Sequence, residues 1–214
     1  MSTPERGTER GADRRTLIAD TAIGLVAAGG LRALTHRAVD GAARLPAGST
    51  SYYFRTRTAL IGACYQRLAE LDLGDVDVDV AGGGTAGDGA GARGPLPDRD
   101  AAAAALAALL HRWLTVGRER QLARFELSLE AARNLELETD FHRAGQGARA
   151  RAAGILAALG AERPEEAAEL LVAWTDGLLY DRLAGALARS RPAPDLTELT
   201  SATRRMIDAA LSTP

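Results

Sequence analysis

The sequence predicts an all-α protein in which an N-terminal three-helix head is followed by a larger helical body. Apolar residues recur at helical spacing along most of the chain. The segment with strand-like alternation, residues 75–80, carries an aspartate at every second position, which is unlike a buried strand. Two short helical segments joined by the turn Leu45–Gly48, with a longer helix on each side, have the layout of a helix-turn-helix unit.

The head begins with a charged stretch, residues 1–13, that we expect to be a disordered tail. Residues 14–28 place aliphatic side chains along one face of a helix, with Asp13 as the expected N-cap and Gly29–Gly30 as the end. A second, shorter helix should begin at Thr35, because its hydroxyl can accept a backbone N–H of the first turn.

A turn should separate the second helix from the third, because Pro46 disfavours helical geometry at the residue before it. The second helix therefore ends near Arg44, and the third begins around Ser49. The fourth helix should run from about Thr56 to residue 73. The predicted domains are the head, residues 14–60, and the body, residues 61–214.

Residues 74–97 contain eight glycines and no helical periodicity, so we interpret them as a flexible insertion in the body. Gly82, Gly84 and Gly87 have the spacing of a dinucleotide-binding fingerprint. That fingerprint needs an apolar strand before it and a helix directly after it, and neither is predicted here. Helices are expected in the rest of the body at residues 98–117, 119–137, 140–159, 164–188 and 196–211.

The residue inventory argues against several classes of site. The chain has no lysine and a single cysteine, Cys64, which excludes lysine-based covalent catalysis, an internal disulfide and a cysteine metal site. Its three histidines are not spaced as metal ligands on a helix, and no serine lies in a nucleophile elbow. We therefore expect no catalytic residue, no metal and no cofactor, and a protein that is not an enzyme.

Targeting signals predict the location of the protein, and its charge distribution predicts the kind of partner that it binds. No apolar run is long enough for a membrane span, and the N-terminus lacks the apolar segment of a signal peptide, so we expect a cytoplasmic protein with no membrane partner. Ten arginines accompany five acidic residues up to Arg67, a net charge of +5, whereas sixteen accompany twenty-three beyond it, a net charge of −7. A basic head indicates an anionic partner such as double-stranded DNA.

The second short helix of a helix-turn-helix unit enters the major groove, and its first residues face the base edges. Here those residues are small and polar, which lets the helix approach closely, and the nearby tyrosines and arginines can bond phosphates. One tyrosine of the pair, together with Phe54, is expected to belong to the core. The predicted DNA contacts are Thr35, Arg37, Ser49, Thr50, Ser51, Tyr52, Tyr53, Arg55 and Arg57.

The stretch LTHRAVDGAARLPAGSTSYYFRTRTAL, residues 34–60, resembles the DNA-binding region of the tetracycline-repressor-like (TetR) family. It is especially similar to the branch that reads L-T-x-R-A-V, then A-A, a turn and G-S-T-x-Y-Y-F, and the similarity covers about residues 14–62. The resemblance places Gly48 at the start of the recognition helix. Arg44 stands where the family usually has glycine, and left-handed geometry costs an arginine about 1 kcal/mol. Either the turn differs slightly, or Arg44 adds a phosphate contact.

The resemblance also implies a function: a homodimeric transcriptional regulator, expected to be a repressor whose binding to a near-palindromic operator is relieved by a small-molecule effector. Two recognition helices are also needed physically, because one short helix offers little contact area for specific binding. The dimer interface is expected in the last two helices, with Leu171, Gly177, Leu178, Gly185, Met206 and Ala210 as candidates. The candidates for the effector pocket are Trp113, Phe125, Glu126, Phe141, His142, Trp174, Asp176 and Tyr180.

A competing interpretation is a helical small-molecule-binding or protein-interaction protein without specific DNA readout, whose basic head docks on an acidic protein. The two interpretations differ in the salt dependence of duplex binding, because phosphate contacts release counterions and lose affinity steeply as salt rises.

Overall fold

The computed structural model describes residues 5–82 and 98–212. Within these ranges the chain is helical and contains no strand, so the predicted all-α class is confirmed. The helices are α1 (Glu5–Gly29), α2 (His36–Ala42), α3 (Ser49–Tyr53), α4 (Arg57–Gly82), α5 (Arg99–Leu114), α6 (Arg118–Ala131), α7 (Glu138–Ala158), α8 (Pro164–Leu183) and α9 (Leu196–Leu211), with one 3-10 turn at Leu135–Leu137.

Helix α1 is longer than predicted. It begins at Glu5, so residues 5–13 are helical rather than a disordered tail, and Asp13 lies inside the helix rather than at its N-cap. The reason is that no proline lies between Pro4 and Pro46, and a glycine in a helix interior costs only about 1 kcal/mol.

Helix α4 is also longer than predicted, because it continues through residues 74–82 of the expected insertion. Two side-chain contacts hold this extension: the Trp113 indole N–H donates to Asp75 at 2.9 Å, and Asp77 forms an ion pair with Arg151 at 3.1 Å. These contacts are tertiary, so the alternating aspartates and valines gave no sign of them. Residues 83–97, and with them Gly84 and Gly87, lie outside the described residues.

The chain divides into two compact units. The first contains the described residues of Met1–Glu70 together with Glu119–Ala144, and the second contains those of Leu71–Arg118 and Gly145–Pro214. This division differs from the predicted boundary after residue 60, because α4, α6 and the start of α7 contribute to the core of the first unit. That core includes Ile18, Ala22, Val26, Leu34, Val39, Phe54, Leu60, Cys64, Tyr65, Leu68, Ala123, Leu127 and Leu137.

Two buried residues on α4 show how this core is closed. The Tyr65 hydroxyl donates a hydrogen bond of 2.9 Å to the carbonyl of Leu127 on α6, so a polar atom is carried into the core with a partner. Cys64 is fully buried, as expected for a small apolar residue. Burial, and to a lesser degree the charge of Asp20, raise the pKa of its thiol to about 12, so the sulfur stays protonated and unreactive at neutral pH.

In the second unit α5 packs along α9, and α8 packs against both. Its core is built mainly from alanine and leucine, which lets the helices approach closely, and it includes Ala103, Leu156, Ala167, Ala168, Leu171, Ile207 and Ala210. The buried Thr203 hydroxyl on α9 donates to the carbonyl of Ala103 on α5 at 2.8 Å, which ties the two helices together.

Candidate nucleic-acid interface

Helix α2 begins as the sequence predicts. Thr35 is its N-cap in extended geometry, and its side-chain oxygen accepts the amide N–H of Ala38 at 3.1 Å. The preceding loop is held by Arg57 at the start of α4, whose guanidinium donates to the carbonyls of Leu31, at 2.6 Å, and of Leu34. Arg57, predicted as a phosphate ligand, therefore has a second role, because it fixes the loop that leads into α2.

The turn after α2 adopts the geometry that glycine favours, although the residue is arginine. Arg44 has a φ of 55°, the left-handed region, and among the described residues no other non-glycine residue has a positive φ. The amide of Leu45 then donates to the carbonyl of Asp40 at 2.8 Å. The turn thus has the geometry associated with the family glycine, and the Arg44 side chain is exposed.

Helix α3 has no capping side chain of its own, because its N-cap is Gly48, with a φ of 89°. The cap comes from α2 instead. One carboxylate oxygen of Asp40 accepts the Gly48 amide at 2.7 Å, and the other accepts the Thr50 amide at 2.7 Å and the Thr50 hydroxyl at 2.6 Å. Asp40 is 5% exposed and Thr50 is fully buried. A single buried carboxylate therefore sets the position of α3 against α2.

The carboxylate of Asp40 is stabilised in its charged form. Burial alone would raise its pKa, but the hydrogen bonds from the Thr50 hydroxyl, the Thr50 amide and the Gly48 amide, with a contribution from His36, outweigh burial and hold the pKa below its ordinary value of 3.8. The His36 ring also donates to the carbonyl of Phe54 at 2.7 Å, so α2 is bonded to both ends of α3.

The prediction that Thr50 contacts DNA is wrong for this structure. Its side chain has no exposed surface, because the hydroxyl is needed to satisfy the buried Asp40. Ser49 is half-buried, and its hydroxyl donates to the carbonyl of Pro46 at 2.6 Å. The exposed residues of α3 are Ser51 and Tyr52, and Tyr52 is 78% exposed. They follow the exposed residue Gly48, so the exposed edge of α3 consists of Gly48, Ser51 and Tyr52.

The two tyrosines divide as the sequence predicts, one outward and one toward the core. Tyr53 is half-buried and meets Tyr52 edge-on, with ring centroids 5.1 Å apart. On α1, the Arg15 guanidinium lies 5.6 Å from the centroid of the Tyr53 ring and 5.3 Å from that of the buried Phe54. Arg15 was not predicted as part of this region, and it stabilises the end of α3 through cation–π contacts.

Three exposed arginines lie before and after the exposed edge of α3 in the sequence: Arg37 on α2, Arg44 in the turn and Arg55 after α3. Exposed guanidiniums suit phosphate contacts, since each can present paired N–H donors to an oxyanion. Of the predicted DNA residues, Thr50 is buried, and Ser49 and Tyr53 are half-buried. The others are exposed, and Arg57 among them also bonds the loop before α2: Thr35, Arg37, Arg44, Gly48, Ser51, Tyr52, Arg55 and Arg57.

The predicted pocket residues divide between the two units. Phe125, Glu126, Phe141 and His142 belong to the first, where Phe141 packs against Tyr65 with ring centroids 5.3 Å apart. Trp113, Trp174, Asp176 and Tyr180 belong to the second. Trp174 lines an open hollow of about 280 Å³ with Ala202, Arg205, Met206 and Ala209, whereas Trp113 is buried.

Two of the predicted dimer residues are not on the surface of the second unit. Leu171 and Ala210 are buried in the core of the second unit, because they face the other helices of that unit. Gly177 is exposed, and Leu178, Gly185 and Met206 are half-buried. The outer face that α8 and α9 present instead is formed by Ala173, Trp174, Gly177, Ala202, Arg205, Met206 and Ala209.

These features define a helix-turn-helix regulator fold, and comparison with known proteins identifies the family. The family model described as "Tetracyclin repressor-like, C-terminal domain" matches residues 97–213. No curated protein matches the chain significantly. Within the described ranges no helix is long and apolar enough to cross a membrane.

Solved structures agree with the family match. Multidrug binding protein EbrR complexed with ethidium is 28% identical, the alignment covers 90% of this chain and 98% of that chain, and the TM-score is 0.62. A TetR family member, SCO1917 from Streptomyces coelicolor A3, is 24% identical, with 90% and 97% covered and a TM-score of 0.64. A transcriptional regulator from Rhodococcus sp. Rha1 is 21% identical, with 92% and 95% covered and a TM-score of 0.68. The chain belongs to the TetR family, whose members are transcriptional regulators and not enzymes.

Replacing Asp40 should lower the free energy of unfolding more than replacing an exposed aspartate does. In Asp40→Asn an amide N–H₂ faces the N–H groups of α3, so we expect the free energy of unfolding to fall by about 2 kcal/mol, as for a lost buried hydrogen bond to a charged group. The control is Asp20→Asn, which removes the partly exposed ion pair with Arg67 and should cost at most about 1 kcal/mol. Chemical denaturation measures both, and equal losses would contradict the anchoring role of Asp40.

The difference in the free energy of unfolding between the native chain and Asp40→Asn should depend on pH. Because the pKa of Asp40 is lowered in the folded chain, its stabilisation is complete above the ordinary value of 3.8 and is lost as the pH falls below that value. Native protein and Asp40→Asn should therefore converge in stability in acid. A difference that stayed constant down through this range would show that the charge of Asp40 does not matter.

Proposed function

We propose that the chain is a homodimeric, DNA-binding transcriptional regulator that acts in the cytoplasm as a repressor and releases its operator when a small-molecule effector binds. The observation that carries the proposal is the exposed edge of α3, Gly48, Ser51 and Tyr52, held in place by a buried carboxylate. A positioned, small and polar helix edge between exposed arginines is suited to the major groove.

The chemistry of the edge assigns different roles to its residues. The Ser51 hydroxyl can donate to or accept from a base edge, and Gly48 leaves room for close approach of the backbone. Tyr52 presents a rigid ring with a phenolic hydroxyl that reaches a phosphate. Arg37, Arg44 and Arg55 supply the sequence-independent charge, which positions the head on the duplex without reading bases.

A second copy of the chain is the proposed occupant of the outer face of α8 and α9. The face combines a large ring, Trp174, with small residues such as Gly177 and Ala209, so two helices can pack closely around an aromatic anchor. A two-fold pair would also present two α3 helices to a near-palindromic operator, which doubles the contact area.

The effector is proposed to bind the second unit, which holds most of the region matched by the family's C-terminal domain. The similar protein EbrR is described as a multidrug binding protein in complexes with imidazole and with malachite green, which supports a ligand-binding role for this chain. Trp113, Asp176 and Tyr180 remain the candidates there, whereas Trp174 is assigned to the outer face. Effector and operator would then weaken each other's binding by the same factor, because the coupling of two equilibria is reciprocal.

The DNA-binding proposal is tested with duplexes selected from a random pool by the purified chain. Affinity should fall steeply with salt, and Arg37→Gln should reduce the slope of log affinity against log salt by about one phosphate. Ser51→Ala should lower affinity for the selected sequence more than for random DNA. The control is Arg133→Gln, an exposed arginine in the turn after α6. Binding that is weak, insensitive to salt and equal for all sequences would favour the competing interpretation of a head that docks on protein.

The dimer proposal is tested by placing a charge on the outer face. Trp174→Glu should convert the dimer to a monomer, because it removes the aromatic anchor and brings a carboxylate to the centre of the interface, where its desolvation is costly. Leu129→Glu, a substitution of an exposed leucine on α6, is the matched control and should remain dimeric. Light scattering coupled to size-exclusion chromatography measures both masses. A monomeric native chain, or a dimeric Trp174→Glu variant, would contradict this assignment.

A further inference from the structure

A second hollow in the second unit is lined by three arginines, and neither the predicted pocket nor the DNA interface includes it. It has a volume of about 110 Å³ and lies beside the ends of α5 and α8 and the segment that leads to α9. Arg118, Arg182 and Arg191 line it, and its other walls include Leu114, Leu183 and Pro192. Three cationic side chains around one hollow favour an anionic occupant, because guanidinium N–H groups form charge-assisted hydrogen bonds with oxyanions.

Arg182 is the most buried of the three arginines. Its side chain is only 9% exposed, and it forms an ion pair with Glu198 through one terminal nitrogen. A guanidinium carries five N–H donors, and a buried cation needs most of them satisfied. Within the described part of the chain no other carboxylate lies within ion-pair distance of Arg182. Arg182 lines the hollow, so an anion there can accept hydrogen bonds from its other N–H groups.

Arg118 and Arg191 add further positive charge. Arg118 makes a long hydrogen bond of 3.4 Å to the carbonyl of Leu183 at the end of α8, and Arg191 forms an ion pair of 2.6 Å with Asp181. The carboxylate of the neighbouring Asp195 accepts the amides of Thr197 and Glu198 and so caps α9. Arg182 and Arg191 each pair with one carboxylate, whereas Arg118 bonds a backbone carbonyl, so Arg118 is the cation that an anion in the hollow can neutralise.

The size of the hollow limits what can enter. A volume of 110 Å³ equals the liquid volume of roughly four water molecules, and it is well below the 300 Å³ or more of a pocket for a drug-sized ligand. A carboxylate or phosphate group fits this volume, and either is matched by the paired N–H donors of arginine. We propose that the hollow formed by Arg118, Arg182 and Arg191 binds a small oxyanion, either a carboxylate or a phosphate group.

The test uses the full chain and two probes, inorganic phosphate and acetate, titrated at constant ionic strength against chloride. Isothermal titration calorimetry should show saturable binding of at least one probe, and the melting temperature should rise with its concentration because the anion binds the folded state. Phosphate binding alone would assign the site to phosphate groups, and acetate binding alone would assign it to carboxylates. No saturable binding of either probe would overturn the proposal.

Variants locate the binding. Arg118→Gln removes a cation that makes only one long hydrogen bond, so the variant should fold normally and bind the anion at least about tenfold more weakly. Arg189→Gln, an exposed arginine of the same segment that does not line the hollow, should bind normally. Arg37→Gln in the head should also bind normally, which separates this site from phosphate binding at the DNA interface. Unchanged affinity in Arg118→Gln, or an equal loss in Arg189→Gln, would contradict the assignment.

Discussion

The hydrogen bonds between Asp40 and the start of α3 are the interaction on which the position of the exposed edge of α3 depends. A helix of five residues cannot form alone, because helix nucleation costs more than so few hydrogen bonds return. Its first N–H groups also need acceptors, and Gly48 offers no side chain. The carboxylate of Asp40 supplies these acceptors from the neighbouring helix, and its own backbone carbonyl holds the turn between the two. One residue thus fixes both the turn and the helix that follows it.

This arrangement explains how a basic surface can contain an acidic residue. An exposed carboxylate beside the exposed edge of α3 would repel an anionic partner, whereas Asp40 is buried and its charge is engaged by three donors. Thr50 is buried for the same reason, because its hydroxyl donates to the Asp40 carboxylate that caps α3. What remains exposed on α3 is a small set of residues, Gly48, Ser51 and Tyr52, whose position is set by the interior of the head rather than by contacts at the surface.

The sequence predicted the head well wherever local chemistry decides the structure. Thr35 as a cap could be identified from residue type and spacing, and the resemblance to the TetR family placed Arg44 at a position that favours glycine. The burial of Thr50 could not, because a five-residue helix is too short for periodicity to show which side faces inward. The signal was indirect: an aspartate next to the buried Val39 on a short helix, followed by a helix whose N-cap is glycine. The extension of α4 was missed because tertiary contacts, such as that of Asp75 with Trp113, outweigh weak local preferences. The extension of α1 was missed because its first residues are charged and include glycines, which is typical of a tail, although a glycine in a helix interior costs only about 1 kcal/mol.

The body was harder to predict from sequence for a different reason. Residues that were predicted to line one effector pocket, such as Phe141 and Trp174, belong to separate compact units. Long helices rich in alanine and leucine also carry little contrast between inner and outer faces, so Leu171 and Ala210 could not be distinguished from surface residues such as Gly177. The three arginines of the small hollow come from α6, α8 and the segment before α9, so only the fold brings them together.

The central claim, that the exposed edge of α3 lies against base pairs, is tested most directly by cross-linking. A cysteine at position 51 can form a disulfide with a thiol tethered to a base of the selected duplex, and the buried Cys64 does not compete because burial raises the pKa of its thiol to about 12. Ser51→Cys should cross-link efficiently at bases inside the selected site, and Leu129→Cys on α6 should not. Failure of Ser51→Cys to cross-link under conditions where the duplex is bound would contradict the account.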